Sequence, residues 1–494
     1  MKEFFPIPGH WLSCFLAFIA GALSVLAFAP FSQPWISLLG LALLFHLWLD
    51  SSPGKGFLTG LSYGLGLMGF GASWVHNSIA QFGGVNQPLA WLITLGFVFA
   101  LALYFGVAGW LSTRLARGRT ASLLLLFPGL WVLFEWLRGW LFSGFGWLSL
   151  GYSQIDTPLA GFAPVFGVYG ISLALALSAA ALSLWRSPWV LVLPGIWLGG
   201  WLLQQHDWSQ PAGDGFTNSL IQGAVPQELK WQPQQFTPTL EMYVELTDKQ
   251  PDSRLVIWPE TAVPAFSRQV EDNFLQPLDE RLAIEGRDLL LGIPVQHQDG
   301  SYYNAMISLG ASGRGSYYKQ HLVPFGEFMP LRFLLEPLIE AFSIPMSEFT
   351  PGSAAKPLLN LAGHQAGISI CYEDSFGNEV AAALPQAAFL VNASNDAWFG
   401  DSLAPHQHLE IARMRALENS RYMLRATNTG VSAIIDNRGR LLATSPQFQP
   451  SVLSADIQPL QGITMFAQFG NKLLLTLILG MLGLFMGMGY RKQQ

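Results

Sequence analysis

Charged residues are scarce in this chain. They make up 12% of its 494 residues, against about 25% in ordinary soluble domains. Hydrophobic residues make up 51%, and the mean hydropathy is +0.34. This composition excludes an ordinary soluble protein and is typical of a membrane protein. The net charge is only −6 and the chain contains no basic block, so we do not expect nucleic acid as a partner.

Cysteine is almost absent as well, with two residues in the whole chain. Cys14 lies in an apolar run and Cys371 lies far down the chain, which argues against a disulfide framework and a cysteine metal site. The sequence also lacks a phosphate-binding loop and a metal-spaced group of His and Cys. His406 and His408 come nearest, but residues at i and i+2 do not share a helix face, which favours solvent or core roles. We therefore expect no metal and no other cofactor.

The apolar residues are concentrated at the two ends of the chain. Residues 1–206 hold seven stretches close to the roughly 20 residues that a helix needs to cross a bilayer, and an eighth stretch lies at 473–490. We predict a polytopic α-helical membrane bundle of about eight spans. The first seven stretches are 11–29, 34–50, 57–79, 89–112, 121–141, 160–184 and 188–205.

A linker separates this apolar region from a polar one. Residues 207–216 contain Pro, Gly and acidic residues, as linkers do. The predicted domains are a membrane domain at 1–206, an extramembrane catalytic domain at 217–465 and a C-terminal transmembrane helix within 466–494.

Lysine and arginine are distributed unevenly between the loops of the predicted bundle. If the spans alternate, most of these residues fall on one side, which the positive-inside rule makes cytoplasmic. Both termini are then cytoplasmic, and the polar domain, which follows an odd number of spans, faces the periplasm. The residues concerned are Lys2, Lys55, Arg114, Arg117, Arg119, Arg186, Arg491 and Lys492.

Three polar residues interrupt the apolar stretches. Glu135 and Arg138 are three residues apart and share a helix face. We expect them to form a structural ion pair near the outer end of their helix, with His76 at the membrane interface. Glycine-rich stretches such as 60–71 favour close packing between helices.

Beyond the linker the pattern changes to α/β. Short apolar runs alternate with helical patterns. The runs 303–309 and 315–319 are joined by GASGR, and the runs 431–436 and 441–444 are joined by NRGR, which are hairpin signals. This pattern predicts a mixed sheet covered by helices.

The stretch 365–376, QAGISICYEDSF, is the most informative part of the polar domain. A short buried strand ends on Cys371, and Tyr372, Glu373 and Asp374 follow at once. A thiolate is a strong nucleophile, but a thiol has an ordinary pKa of about 8.5 and needs a base or a cation nearby. By itself, Cys371 is either a small core residue or a nucleophile.

Two other strand ends carry charged residues. Glu260 follows the strand in RLVIWPETAVP, where an acid also suits a helix N-terminus. Lys319 ends a strand in YYKQHLVPFGEF, where a lysine also suits a strand edge, and Glu327 follows in the same stretch. Together with Cys371 these residues supply an acid, a cation and a nucleophile at strand ends, where α/β folds gather their sites.

The motifs WPE, Y-x-K-x-H-L-V-P-F-G-E and CYE, in this order, resemble the carbon–nitrogen hydrolase (nitrilase) superfamily. The resemblance implies an α-β-β-α sandwich and a Glu-Lys-Cys triad, with Glu260 as general base, Lys319 as cationic stabiliser and Cys371 as nucleophile. Seven predicted spans before this domain and one after it resemble the apolipoprotein N-acyltransferase family of the bacterial inner membrane. That resemblance covers essentially the whole chain.

Supporting roles are implied by the same resemblance. Glu327 and Glu373 would support the active site, or only orient its side chains. The backbone N–H of Tyr372 would be a second donor to the oxyanion. Trp231 and Trp398 would line the substrate cavity, although most aromatic side chains serve in packing.

The reaction that the resemblance implies is acyl transfer. Glu260 takes the proton of Cys371 as the thiolate attacks a phospholipid ester, and a thioester forms. The α-amino group of a diacylglyceryl-modified apolipoprotein cysteine then accepts the acyl chain. The expected partners are therefore a phospholipid donor, an apolipoprotein acceptor and the lipid bilayer.

Two alternatives stay open at this point. With water as the acceptor, the same triad would make a membrane-tethered nitrilase-type amidase, for which one tethering helix would suffice. A transporter or a non-catalytic scaffold with an external binding domain would explain the spans but none of the three motifs.

An apolar segment, 325–349, directly follows the Lys319 strand and is interrupted by Pro330, Pro337 and Pro345. It is either part of the core or a mobile lid on the membrane, because apolar surface beside a site usually meets something apolar. In the second case Phe333 and Leu334 would contact the lipid substrate.

Overall fold

The computed structural model describes residues 9–329, 348–353 and 356–490. Within these residues the chain forms two compact units. One unit comprises the N-terminal region to Asp207, without Gln81–Val85, together with the chain from Phe469 onward. The other unit comprises Trp208–Gln468 and Gln81–Val85.

The first unit is helical, and each predicted apolar stretch contains a helix. Pro34 and Pro53 stand at the starts of their helices, where the missing N–H of proline costs no hydrogen bond. The longer helices that lie wholly or mainly in this unit are α1 (His10–Ser24), α2 (Pro34–Trp48), α3 (Pro53–Gly71), α4 (Val75–Phe82), α5 (Gln87–Leu115), α6 (Phe127–Arg138), α7 (Ala163–Leu182), α8 (Val192–Gln204) and a closing helix, Lys472–Tyr490.

Length and hydropathy distinguish these helices. Among the described residues, four helical stretches are long and apolar enough to cross a membrane: His10–Ala27, Gln87–Leu115, Arg119–Arg138 and Pro158–Leu182. Shorter apolar helices are Pro34–Trp48, Pro188–Gln204 and Lys472–Met488. A total of about eight spans therefore stays a prediction.

Glycine allows the first helices to pack closely. A Cβ atom on Gly21 of α1 would lie 2.0 Å from the carbonyl oxygen of Tyr63 in α3. A Cβ atom on Gly60 of α3 would lie 2.2 Å from the carbonyl oxygen of Phe105 in α5. Only glycine permits backbones to approach this closely, as in other packed apolar helices.

Glu135 and Arg138 were expected to bind each other, but their hydrogen bonds go to another part of the chain. In the described residues, both side chains bind the backbone of the segment 145–150. Arg138 Nη1 donates to the carbonyl oxygens of Phe145 and Trp147, each at 2.6 Å, and Glu135 Oε1 accepts from the N–H of Leu150 at 2.7 Å. The pair was predicted from helix spacing alone. Spacing does not show that irregular backbone lies nearby, whose N–H and C=O groups need hydrogen-bond partners.

The second unit contains two six-stranded sheets in its described residues. The first sheet has the order β13-β2-β3-β4-β5-β6 and the second has the order β12-β11-β10-β9-β8-β7. The strands are β1 (Gln210–Pro211), β2 (Phe216–Gln222), β3 (Leu255–Ile257), β4 (Asp288–Gln296), β5 (Tyr302–Gly310), β6 (Gly315–Tyr318), β7 (Leu358–Leu361), β8 (His364–Ile370), β9 (Phe389–Ser394), β10 (Met423–Thr427), β11 (Ala433–Ile435), β12 (Leu441–Thr444), β13 (Ser451–Ile457) and β14 (Leu460–Gln461).

Parallel strands lie at the centre of each sheet and antiparallel strands at its edges. β2, β3 and β4 run parallel, as do β8, β9 and β10. Both predicted hairpins, β5–β6 and β11–β12, are present and antiparallel. β7 and β13 were not predicted, because their residues alternate only weakly between apolar and polar.

Apolar side chains of both sheets form one core. Leu255 and Ile257 of the first sheet and Ile368 and Ile370 of the second belong to the same buried cluster. Two further clusters lie between the sheets and helices. The helices of this unit are α9 (Gln227–Lys230), α10 (Pro233–Asp248), α11 (Ser267–Val270), α12 (Gln276–Glu285), α13 (Gly377–Ala381), α14 (Ala404–Asn419) and α15 (Met465–Phe469).

Candidate active site

Cys371 follows directly on the buried strand β8. Its side chain is 7% exposed and its φ is +52°, in the left-handed region that residues other than glycine rarely adopt. The residue begins a single helical turn, Cys371–Ser375. Backbone strain of this kind is usually found at functional sites, where the surrounding structure holds it.

Glu260 stands at the carboxyl end of β3, on a turn packed against β4. A Cβ atom on Gly292 of β4 would lie 2.4 Å from the carbonyl oxygen of Pro259 and from the backbone nitrogen of Thr261. Glycine is therefore required at position 292 for the turn to approach the strand. The carboxylate of Glu260 accepts a hydrogen bond from Asn304 Nδ2 at 2.7 Å.

Lys319 lies between two carboxylates. Its ammonium is 2.9 Å from Glu327 Oε1 and 3.6 Å from Glu260 Oε1, and the side chain is almost fully buried. Asn304 Nδ2 also donates to Glu327 Oε1 at 3.1 Å, and the N–H of Val323 donates to Glu327 Oε2 at 2.8 Å. Glu327 is thus held at both oxygens, and Lys319 is aligned between Glu327 and Glu260.

Burial and nearby charges shift the pKa values of Lys319 and Cys371. Burial would lower the pKa of Lys319, but Glu327 and Glu260 outweigh it and keep the pKa well above its ordinary value. Burial and the nearby Glu260 raise the pKa of the Cys371 thiol well above its usual range, against the opposing effect of Lys319. Lys319 is therefore a permanent cation, and the thiol keeps its proton until a base removes it.

The contacts of Glu373 suit an acid that orients the chain around Cys371. Its carboxylate accepts hydrogen bonds from the N–H of Ile370 at 2.6 Å, from the N–H of Gln320 at 2.6 Å and from Tyr317 Oη at 3.0 Å. Burial raises the pKa of Glu373 to about 7, although the backbone donors oppose this shift. The side chain ties the turn that holds Cys371 to the chain that follows β6.

Three other predicted site residues have aromatic rings. Tyr372 is partly buried, and its ring lies 5.1 Å from that of Phe376. Trp231 is 57% exposed and Trp398 is 41% exposed, and the ring of Trp398 lies 4.6 Å from that of Phe82 in the same unit. Phe333 and Leu334, with most of the segment 325–349, lie outside the described residues.

Several polar residues of the site were missed by sequence reasoning. Lys230 is 2% exposed, and its ammonium donates to the main-chain carbonyl of Glu260 at 3.3 Å. Asn304 holds both carboxylates that flank Lys319. Asn392 and Arg425 lie in the buried strands β9 and β10. A polar side chain within an apolar strand is costly unless it is paired, and this signal could have identified Asn304, Asn392 and Arg425.

No group of three or more His, Cys, Asp or Glu side chains suited to a metal ion occurs in the described part of the chain. An acid, a lysine and a thiol stand at the ends of strands in two packed sheets, which is the arrangement that the carbon–nitrogen hydrolase motifs of the sequence imply. Residues 217–463 match the profile of this family, carbon–nitrogen hydrolase.

The N-terminal region identifies a narrower family. Residues 20–181 match the apolipoprotein N-acyltransferase N-terminal domain. The apolipoprotein N-acyltransferase of Methylococcus capsulatus is 47% identical over 95% of both chains. Those of Nitrosomonas europaea and Pseudomonas aeruginosa are 46% and 42% identical, over 94% of this chain and 94% and 92% of theirs. The chain belongs to the apolipoprotein N-acyltransferase family.

Proposed function

We propose that this protein moves an acyl chain from a membrane phospholipid, through a thioester on Cys371, to the N-terminal α-amino group of a diacylglyceryl-modified apolipoprotein. The observation that carries the proposal is the position of Lys319, which lies between Glu260 and Glu327 and, like Glu260, acts electrostatically on the strained Cys371. This arrangement supplies a base, a fixed cation and a nucleophile at one place. Membership of the family supports the choice of substrates.

The first half-reaction forms the thioester. Glu260 accepts the proton of Cys371 while sulfur attacks the ester carbonyl, because the thiol is neutral at rest. Lys319 lies beside the oxyanion that develops, where a fixed cation lowers the barrier most. The oxyanion collapses, the ester C–O bond breaks and Glu260 passes the proton to the departing lysophospholipid.

The second half-reaction transfers the acyl chain. The neutral α-amine attacks the thioester carbonyl, and Glu260 takes one of its protons. The C–S bond breaks, the proton returns to the sulfur of Cys371 and an amide is released. The thioester holds the energy of the original ester, so no further energy source enters the reaction.

The apolar sequence and the long apolar helices of the first unit support a membrane protein. We assign the protein to the bacterial inner membrane as a multi-pass protein of about eight spans, with the catalytic domain in the periplasm and both termini in the cytoplasm. The exposed side chains of Trp231 and Trp398 are assigned to contacts with the amphiphilic substrates, since aromatic rings suit interfaces that are apolar on one side and wet on the other.

Reconstitution of the purified protein tests this function. The protein is incubated with phospholipid vesicles and a synthetic peptide that begins with diacylglyceryl-cysteine, and the products are identified by mass spectrometry. We expect an N-acylated peptide and lysophospholipid, and neither product with Cys371→Ala. Release of free fatty acid without acylated peptide would contradict the proposal and favour water as the acceptor of the acyl chain.

A further inference from the structure

Four charged side chains form a closed ring beneath the nucleophile. His408 Nε2 lies 3.0 Å from Asp374 Oδ1, and His408 Nδ1 lies 2.9 Å from Asp396 Oδ1. Arg425 closes the ring, with Nη1 3.2 Å from Asp374 Oδ2 and Nη2 3.1 Å from Asp396 Oδ2. All four side chains are fully buried. We call these four residues the buried ion ring.

The buried ion ring holds the main chain of Cys371. His408 Nε2 lies 3.3 Å from the carbonyl oxygen of Cys371, and Asn392 Nδ2 donates to the same oxygen at 3.1 Å. Arg425 Nη1 in turn donates to Asn392 Oδ1 at 2.5 Å. The left-handed backbone conformation of Cys371 is strained and persists only where surrounding contacts enforce it. These contacts come from the ring and from Asn392.

The ring is electrically balanced when His408 carries a proton. Burial and Arg425 oppose that proton, but Asp374 and Asp396 outweigh them and raise the pKa of His408 to about 9. Near neutral pH the ring therefore contains two carboxylates, one guanidinium and one imidazolium. Loss of either cation would leave a net negative charge within the buried core.

One member of the ring is coupled to the thiol. Ser394 Oγ donates to Asp396 Oδ1 at 2.8 Å. Together with Glu260, Asp396 raises the pKa of the Cys371 thiol, whereas Lys319 opposes this shift. The charge of the ring therefore acts on the nucleophile.

We propose that the buried ion ring is a positioning device for Cys371 and that its charge balance controls how readily the thiol gives up its proton. This inference rests on the proposed role of Cys371 as nucleophile. A buried ion pair is commonly no more stabilising than apolar residues of similar size, so stability alone is a weak reason for four charges at this place. His408 and Asp396 act through Cys371 and need not touch the substrate.

The test measures the rate of alkylation of Cys371 by iodoacetamide at pH 7 and at pH 10, on either side of the pKa of His408. The full-length protein in detergent carries Cys14→Ala, so that Cys371 is the remaining thiol. Three variants are compared with this background: His408→Gln removes a positive charge, Asp396→Asn removes a negative charge, and the double variant removes both. Tryptic mass spectrometry locates the label.

The expected changes in rate have opposite signs. At pH 7, His408→Gln should slow alkylation by about tenfold and Asp396→Asn should speed it by about tenfold, because a neighbouring charge commonly shifts a pKa by about one unit. At pH 10 His408→Gln should change the rate little, because His408 has then lost its proton. At pH 7 the double variant should return the rate close to that of the background, because the ring is again balanced. A double-variant cycle of this kind isolates the coupling between the two charges.

Several results would overturn the inference. If the three variants change the rate at pH 7 in the same direction, or leave it unchanged, the ring is only a structural element. If His408→Gln does not fold, Asp374→Asn provides the second test and should speed alkylation at pH 7 as Asp396→Asn does. Lys249→Gln, which removes an exposed ion pair with Glu245, is the control and should change nothing.

Alkylation also separates this inference from the proposed function. The readout requires a thiol and a small reagent, but no phospholipid and no apolipoprotein. Opposite changes in rate at pH 7 in a protein that transfers no acyl chain would contradict the proposed function and leave the ring as the element that sets the properties of Cys371.

Discussion

The buried ammonium of Lys230 donates a hydrogen bond to the main-chain carbonyl of Glu260, at 3.3 Å. On its other side, the carboxylate of Glu260 lies 3.6 Å from the ammonium of Lys319. The two lysines differ in their surroundings. Lys319 has two carboxylates within 4 Å, whereas burial, only partly offset by Glu260, lowers the pKa of Lys230 to about 8.

Lys230→Met should stabilise the protein at neutral pH and slow the formation of the thioester. A pKa lowered from 10.5 to about 8 means that burying the ammonium costs on the order of 3 kcal/mol. The substitution removes this cost, but it also removes a hydrogen bond that contributes about 1 kcal/mol. Acylation should fall by about tenfold or more, because Glu260 loses one of the groups that position it. Thermal unfolding and the rate of thioester formation are the two measurements.

The stability that Lys230→Met gains should depend on pH. The folded state disfavours the proton on Lys230, so the penalty is complete below pH 8 and disappears as the pH rises towards 10.5. The advantage of Lys230→Met in thermal midpoint should therefore be largest near pH 7 and small near pH 10. An advantage that grows with pH, or a variant less stable at pH 7, would contradict the assigned cost.

Lys319→Met should abolish formation of the thioester. The substitution leaves the carboxylates of Glu260 and Glu327 facing each other without a cation and removes the charge that stabilises the oxyanion. We expect a loss of about a thousandfold or more, measured as the rate at which labelled acyl chain appears on Cys371. Lys319→Arg should recover little activity, because a planar guanidinium differs from an ammonium in shape and reach.

Lys249→Met is the matched control for both lysine variants. Lys249 pairs with Glu245 at 2.6 Å, and both side chains are largely exposed, so its removal should cost little. A rate close to that of the unmodified protein in Lys319→Met would exclude the oxyanion role.

The orientation in the membrane gives a separate prediction. A reporter that is active only in the periplasm should function when inserted within residues 207–216 and fail when fused after Gln494. The reason is the excess of Lys and Arg in alternate loops of the chain. The reverse pattern would place the catalytic domain in the cytoplasm and contradict the proposed phospholipid reaction.

Much of the second unit could be predicted because its strands are short, apolar and bounded by turn residues. The strand 367–371 was expected and β8 ends at Ile370, so Cys371 begins a turn. The hairpin that precedes Lys319 was also expected. Local sequence patterns were sufficient to predict these strands, because each motif places charged residues where an apolar strand ends.

What could not be predicted depends on contacts between distant parts of the chain. His408 was expected in solvent or core, and only the fold brings it to Asp374 and Asp396. Lys230 precedes Glu260 by thirty positions in the sequence, and no local pattern links the two. The spacing of Glu135 and Arg138 indicated a pair, but both side chains bind the segment 145–150. The burial of these residues and their hydrogen-bond partners depend on the tertiary structure, which the periodicity of the sequence does not show.

The central claim is that Cys371 carries the acyl chain, and the mass of the peptide that contains Cys371 tests it most directly. The protein is incubated with phospholipid that has a single type of acyl chain at the transferred position, without a peptide acceptor, and then digested. We predict that the peptide containing Cys371 gains the mass of one acyl group, that hydroxylamine removes it, and that addition of the peptide acceptor empties the site. An acyl group on another residue, or transfer to the acceptor by Cys371→Ala, would contradict the account.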